Sequence, residues 1–196
     1  TILTNSVVES ITGSNGNFDI LANGANHNFD YCILACHADE ALNLIPESFD
    51  QEKELLSKFK YSKNLATLHS DESVMPTNKG NWASWNYRFK KQGFELRSST
   101  HYWMNSLQNL ASKINYFVTL DENPDIEEKH VKVQIPYTHP IFTTDTVNAQ
   151  EKLKDLNHGQ NKGLYFAGSY FGYGFHEDAY ASSVELARLL LRKQAS

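Results

Sequence analysis

Residues 163–192 read GLYFAGSYFGYGFHEDAYASSVELARLLLR: an apolar run, a glycine-rich turn and a long amphipathic stretch. Leu164 to Ala167 carry no charged side chain, as in a short strand covered on both faces. From Ala179 onward, Val184, Leu186, Ala187, Leu190 and Leu191 recur at helical spacing. The turn between them holds Gly168, Gly172 and Gly174 together with Tyr170, Phe171, Tyr173 and Phe175. Few arrangements satisfy all three parts. The strand needs neighbours on both sides, and the helix must pack back on it.

A strand that runs through a glycine turn into a helix presents backbone N–H groups to a ligand. Glycines let that ligand approach the backbone, and aromatic side chains suit a flat conjugated one. Glu177 and Asp178 open the helix. They stabilise its N-terminus by themselves, and they favour a neutral acceptor there over a phosphate. The same unit also occurs as plain connection.

Upstream, "NSVVESIT", "FDILANG" and the end of "HNFDYCILAC" read as three strands separated by residues that tolerate turns. The third is apolar from Tyr31 to Ala35, as expected of a strand covered on both faces. "HADEALNLI" and "DQEKELLSKFK" read as helices. "KNLATLHS", "GNWASWNYRF", "FELRSSTHYWM", "INYFVTLD" and "KHVKVQIPYTHP" form a β-rich middle, with "NSLQNLASK" as a helix among them, and "NAQEKLKDLN" is helical. Strands, a mixed middle, then a strand and a helix predict one lobe interrupted by a second. Residues 1–42 and 149–196 should meet in space, with 43–148 as the inserted lobe.

Several function classes are disfavoured. The net charge is −5 and there is no basic run, whereas nucleic-acid binding needs clustered Lys and Arg. No apolar stretch approaches the roughly 20 residues of a membrane span, and no charged-then-apolar leader opens the chain, so a cytoplasmic protein is expected. The eight histidines show no metal spacing, so no metal site is expected. Cys32 and Cys36, on one face of a strand, would stand ~13 Å apart at ~3.3 Å per residue, too far for a disulfide. They read as reduced thiols.

The segment "LYFAGSYFGYGFHEDAYASSVELARLL" resembles the C-terminal flavin-contacting segment of the flavin-dependent amine oxidase family. The matching residues are Gly174, Phe175, Glu177, Asp178, Ala179 and Ser182. "NSVVESI" is similar to the strand beside the adenine of FAD, and "FDYCILACHADEAL" to the strand that follows it in the same family. "LHSDESVMPTNKGNWASWNY", "YWMNSLQNL", "YFVTLD" and "YTHPIF" resemble the subgroup of predicted FAD/NAD-binding oxidoreductases sometimes found with cyclopropane-fatty-acid synthases. The family's G-x-G-x-x-G unit is absent, and Ser169 stands where the family usually has an acid.

The resemblance implies an α+β fold: an incomplete α/β-type FAD-binding lobe interrupted by a β-rich substrate lobe. It implies FAD as cofactor, a missing N-terminal dinucleotide-binding half as partner, a small-molecule substrate, and apolar surface prone to self-association. By the same implication Val7 and Val8 would lie by the adenine. Gly168 and Ser169 would meet the ribityl-pyrophosphate region. Gly174, Phe175, His176, Glu177 and Ala179 would lie by the ring, and Tyr170, Phe171 and Tyr173 near the ring or substrate.

Family enzymes often use a lysine that positions a water. Lys79 lies in the subgroup motif, and a solvated loop lysine is the other reading of it. His69 and Asp71 suit acid–base work or a strand end. Trp82, Trp85 and Tyr87 suit strand packing or an apolar substrate wall. The function expected is thus the C-terminal part of an FAD-dependent oxidoreductase acting on an amine or an apolar, lipid-like substrate. The alternatives are a non-catalytic binding domain of that descent, unable to hold FAD alone, and a carbohydrate-binding β-rich module.

Overall fold

The computed structural model describes residues 1–121, 125–159 and 163–194. They form two compact units, Thr1–Tyr61 with Pro140–Ser196 and Ser62–His139. The divisions fall later in the first half and earlier in the second than 42/43 and 148/149. Phe49, Leu55, Leu56 and Phe59 share one core with Phe18 and Phe166, which keeps residues 43–61 in the discontinuous unit.

In that unit β1 (Val8–Gly13), β2 (Phe18–Ala22) and β3 (Ala25–Phe29) form an antiparallel meander. Asn23 and Gly24 are not strand, as "FDILANG" suggested. Both have positive φ, 49° and 73°, and they make the two-residue hairpin turn that joins Ala22 to its partner Ala25.

The run read as one third strand is two. The chain leaves β3 at Phe29 and enters β4 (Cys32–Leu34), which lies in a different sheet. There β4 pairs in parallel with β10 (Leu164–Phe166), Cys32 opposite Leu164 and Leu34 opposite Phe166. The two ends of the chain meet at this pair.

β4 is covered on one face only. Cys32 and Leu34 are buried, while Tyr31 and Ile33 are about half exposed. The outer edges of the pair differ as well. Phe166 donates its N–H to Asn157 Oδ1 at 3.0 Å and accepts from Asn157 Nδ2 at 2.8 Å, so a side chain closes the β10 edge. On β4, Cys32 N–H bonds Gly163 and Leu34 C=O bonds Ala167, which turns the backbone groups of Ile33 away from β10. Replacing Asn157 by Leu would strand two buried backbone groups. An Asn157→Leu variant is expected to lose at least about 2 kcal/mol in denaturant titration.

Helices α1 (Ala38–Leu44), α2 (Asp50–Leu56) and α4 (Thr144–His158) cover this core. On α4 the inward face is Thr146, Ala149, Gln150, Leu153 and Asn157, at helical spacing. α5 (His176–Gln194) packs through Leu186, Leu189 and Leu190 on Tyr165 and Ala167. Ala187 and Leu191, expected in that stripe, are exposed, and Leu189 takes their place.

The second unit holds an antiparallel sheet in the order β6-β7-β8-β5-β9, from β5 (Lys60–His69), β6 (Trp85–Gln92), β7 (Glu95–Trp103), β8 (Phe117–Asp121) and β9 (Val131–Ile141). β9 carries Pro136 and Pro140 because it is an edge strand, where a missing N–H costs no ladder bond. The expected helix over "NSLQNLASK" is one turn, α3 (Met104–Leu107). It stops at Asn109, whose φ is 51°. Trp82, Trp103, Val74, Met75 and Phe117 form a small core, with Trp82 set edge-on to Trp103 at 5.2 Å.

Candidate functional site

The loop of residues 167–175 stands at the carboxyl end of the parallel pair, beside Cys36 of β4's exit. Ligands of open α/β sheets bind outside the carboxyl ends of their parallel strands. Two side chains shape this loop. Ser182 Oγ accepts from Gly168 N at 3.0 Å and lies 2.9 Å from Ala179 O, pinning the strand end to α5. The Asp178 carboxylate folds back and accepts from both Tyr173 N and Phe175 N, each at 2.9 Å. Gly172 makes room for it: a Cβ there would lie 2.3 Å from Asp178 Oδ1. Of the two acids that open α5, Asp178 therefore organises the loop, and Glu177 is exposed.

Among the described residues, the N–H groups of His176 and Glu177 make no hydrogen bond within the chain, whereas those of Gly168, Gly174 and Phe175 are satisfied. Ser169 uses its carbonyl for Gly172 and Gly174. Gly174 has φ +89° and lies against Pro140. Tyr173 and Phe175 are exposed, and Tyr173 lies 6.1 Å from the Phe142 ring. This loop offers open N–H donors and a flat aromatic border, which fits the carbonyl-and-nitrogen edge of a flavin ring.

Tyr170 is elsewhere. It is 1% exposed, packed edge-on to Phe59 at 5.3 Å, and its hydroxyl has no hydrogen-bond partner. Burial, with the nearby Cys36 and Tyr61, pushes its ionisation far up. A side chain so enclosed packs the core.

Val7 and Val8 line a second feature, an apolar groove of about 600 Å³ shared with Ile11, Ile20, Ile33 and Leu34. Val7 is 71% exposed, so nothing in the described chain covers it.

The acid–base candidates lie in the second unit. Lys79 is exposed, paired with Glu72 at 2.9 Å and 5.0 Å from the Trp82 ring centroid. Asp71 accepts from Ser73 N at 2.9 Å and Glu127 N at 3.4 Å, as a turn-forming carboxylate does. Burial opposes its ionisation, but these hydrogen bonds outweigh it and hold the carboxyl below its usual range. Trp82 is a packing residue, while Trp85 and Tyr87 are about 60% exposed along β6.

His69 is fully buried and belongs to a polar chain that no spacing in the sequence marked. Asp71 N–H donates to His69 Nδ1 at 3.2 Å, so the proton of the neutral ring sits on Nε2 and goes to Thr119 Oγ1 at 2.7 Å. Thr119 has no other acceptor among the described residues, so its hydroxyl donates to His101 Nδ1 at 2.8 Å. His101 Nε2–H then donates to Ser99 Oγ at 2.9 Å. Burial lowers both histidines to about 4. Asp71 opposes the shift at His69, and at His101 Arg88 reinforces it while Asp121 opposes it. The signal available was Arg97, Ser99 and His101 alternating within a strand, where apolar residues usually alternate.

Among the described residues no three His, Cys, Asp or Glu converge as metal ligands, and no helix is long and apolar enough to cross a membrane. Cys32 is buried and Cys36 partly so, both free.

A discontinuous unit closed by a parallel pair, a glycine loop at its carboxyl end and an antiparallel sheet unit inserted between its halves define the fold of the C-terminal part of FAD amine oxidases. The solved structures with this fold include a protein assigned as a protoporphyrinogen oxidase from Exiguobacterium sp. 255-15 (12% identity, TM-score 0.57, 95% of this chain and 47% of that one). A CLA-producing fatty acid isomerase from P. acnes matches at 14% identity and TM-score 0.56, over 94% of this chain and 47% of its own. Putrescine oxidase bound to putrescine matches at 9% identity and TM-score 0.57, over 95% and 49%. The chain thus spans about half the length of the structures it matches. No family model matches the sequence, and no curated protein does.

Proposed function

We infer that the chain is the C-terminal part of an FAD-dependent oxidoreductase of the amine oxidase type, acting on an amine or an apolar, lipid-like substrate. One observation carries the reading: the glycine loop and the open N–H groups of His176 and Glu177 stand at the carboxyl end of a parallel pair whose β4 edge is unfilled. Two parallel strands do not make a self-sufficient sheet, since such sheets are covered on both faces and run to several strands. A further strand from a dinucleotide-binding half completes the sheet at Ile33, and the apolar groove of Val7, Val8 and Ile33 receives its packing.

In this reading residues 1–61 and 140–196 form the FAD lobe and residues 62–139 supply the substrate lobe. Val7 and Val8 border the adenine. Gly168 and Ser169 border the ribityl-pyrophosphate, with Ser169 offering a hydroxyl where the family the sequence resembles usually has an acid. Gly174, Phe175, His176, Glu177 and Ala179 face the ring. When bound, FAD would supply two-electron transfer. The chain's own residues orient it: Asp178 holds the loop, the His176 and Glu177 N–H groups donate to the ring edge, and Tyr173 and Phe175 exclude water. The names of the solved neighbours support both substrate classes, one an oxidase seen with putrescine and one a fatty acid isomerase. Two free thiols suit a reducing, cytoplasmic compartment.

The test is the absorbance of the intact protein. Flavin bands between roughly 370 and 450 nm, lost on Phe175→Asp, are the expected result. A colourless intact protein that gains no bands with added FAD overturns the reading and favours the non-catalytic binding domain. Residues 1–196 produced alone are expected to self-associate through the uncovered groove, which size-exclusion chromatography reads directly.

A further inference from the structure

In the second unit a cavity of about 380 Å³ opens on the sheet face that carries the histidine chain. Its lining holds Arg88, Lys90 and Arg97, the carboxylates of Asp121 and Asp125, and Val74 and Ile126, with Ser99 and the buried His101 as its floor. Three cationic side chains here face two carboxylates. Arg97 is paired with Asp121, whose side chain is 11% exposed, and Lys90 with the exposed Asp125 at 2.6 Å. Among the described residues Arg88 has no acidic partner.

The floor adds a directional argument. The chain from Asp71 through His69, Thr119 and His101 runs one way, because it starts at a backbone N–H that can only donate. Ser99 Oγ is its last acceptor, so the Ser99 hydroxyl hydrogen is not used in this chain, and Ser99 lines the cavity. The Arg88 guanidinium and a hydroxyl donor beside one space offer hydrogens for an acceptor.

We propose that the cavity bounded by Arg88, Arg97, Ser99 and His101 binds the oxyanion group, carboxylate or phosphate, of a small ligand. Arg88 supplies the fork, which suits two oxygens at once. Ser99 donates from the floor, and the buried histidine chain holds its hydroxyl in that orientation. A second cavity of about 590 Å³ shares Val74, Arg88 and His101 and is bordered by Met75, Pro76, Trp85 and Phe89. Its lining mixes these side chains with Ser73, Thr77 and Asn86, and it gives the remainder of such a ligand room beyond the charged end. The proposal does not require a flavin and stands apart from the reading of the first unit.

Isothermal titration of the intact protein with sodium phosphate and, separately, with sodium octanoate tests it. Saturable one-site binding of either probe is expected, weakened at least tenfold in Arg88→Gln and about fivefold in Ser99→Ala, and unchanged in Lys63→Gln. Octanoate binding with phosphate silent identifies a carboxylate ligand, and the reverse identifies a phosphate. Arg88 is exposed, so its replacement leaves the fold intact, and equal thermal midpoints of the variants verify this. Absence of binding by both probes, or binding undiminished in Arg88→Gln, overturns the proposal. The flavin bands of the same samples report independently on the other site.

Discussion

Acidifying the protein from pH 7 to pH 4.5 is expected to destabilise the second unit by about 2–3 kcal/mol for each of two buried histidines. His69 and His101 have folded values near 4, against 6.5 for a free imidazole, chiefly because burial penalises the charged ring. The sign follows from proton counting. Below pH 6.5 the unfolded chain binds protons that the native chain refuses, so stability falls through the window from 6.5 down to about 4. Below that both states are protonated and the dependence flattens. The groups facing the pair are Asp71 and His130 at His69, and Arg88 and Asp121 at His101. Because Thr119 bridges the rings, the two contributions need not add. Urea titrations at pH 7.0, 5.5 and 4.5 measure the effect. The His101→Gln variant, which keeps a neutral hydrogen-bonding group, is expected to lose about half of the pH dependence. An identical profile for wild type and variant would remove His101 from the account, whatever the exposed carboxylates contribute.

The Gly172→Ala variant is expected to lose flavin binding by tenfold or more in the intact protein, together with about 2–3 kcal/mol of stability. A single Cβ would sit 2.3 Å from Asp178 Oδ1 and 2.4 Å from its carboxyl carbon. The carboxylate must move, and with it go two charge-assisted hydrogen bonds that hold Tyr173 and Phe175. The loop then no longer presents the His176 and Glu177 N–H groups in one place. Fluorescence quenching of added FAD reads affinity, and thermal unfolding reads stability. Asp178→Asn keeps one acceptor oxygen and should fall between wild type and Gly172→Ala. Unchanged FAD affinity in Gly172→Ala would show that the loop's shape does not matter to the cofactor.

Much of the fold was legible because periodicity is local. The apolar run Leu164–Phe166, the glycine turn and the spacing of α5 appear in the chain order itself, as do the strands of the middle section. The errors fell where local signals were ambiguous. Asn23–Gly24 extends an apolar run yet turns the chain back, because both residues accept positive φ. Tyr31 to Ala35 read as a strand covered twice, but one face stays open, since a run of apolar residues records only that something will cover it. Leu191 and Ala187 kept helical spacing and still faced outward. Among the candidate site residues, the glycine turn and the start of α5 were legible as a pattern, because Gly174 and Phe175 to Glu177 are neighbours in the chain. The burial of Tyr170 was not legible, because an aromatic in a glycine loop and an aromatic under it look alike in one dimension.

By itself the sequence determined the order and type of most elements and the net charge of −5, all properties of composition and short-range spacing. Only the tertiary structure decided that β4 lies beside β10 across some 130 positions, that Asp178 turns inward to the loop, and that Arg88, Ser99, His101 and Thr119 converge on one sheet face. The physical reason is range. Backbone propensity acts over a turn or a strand, whereas hydrogen-bond partners and burial are settled by neighbours that only the folded chain brings together.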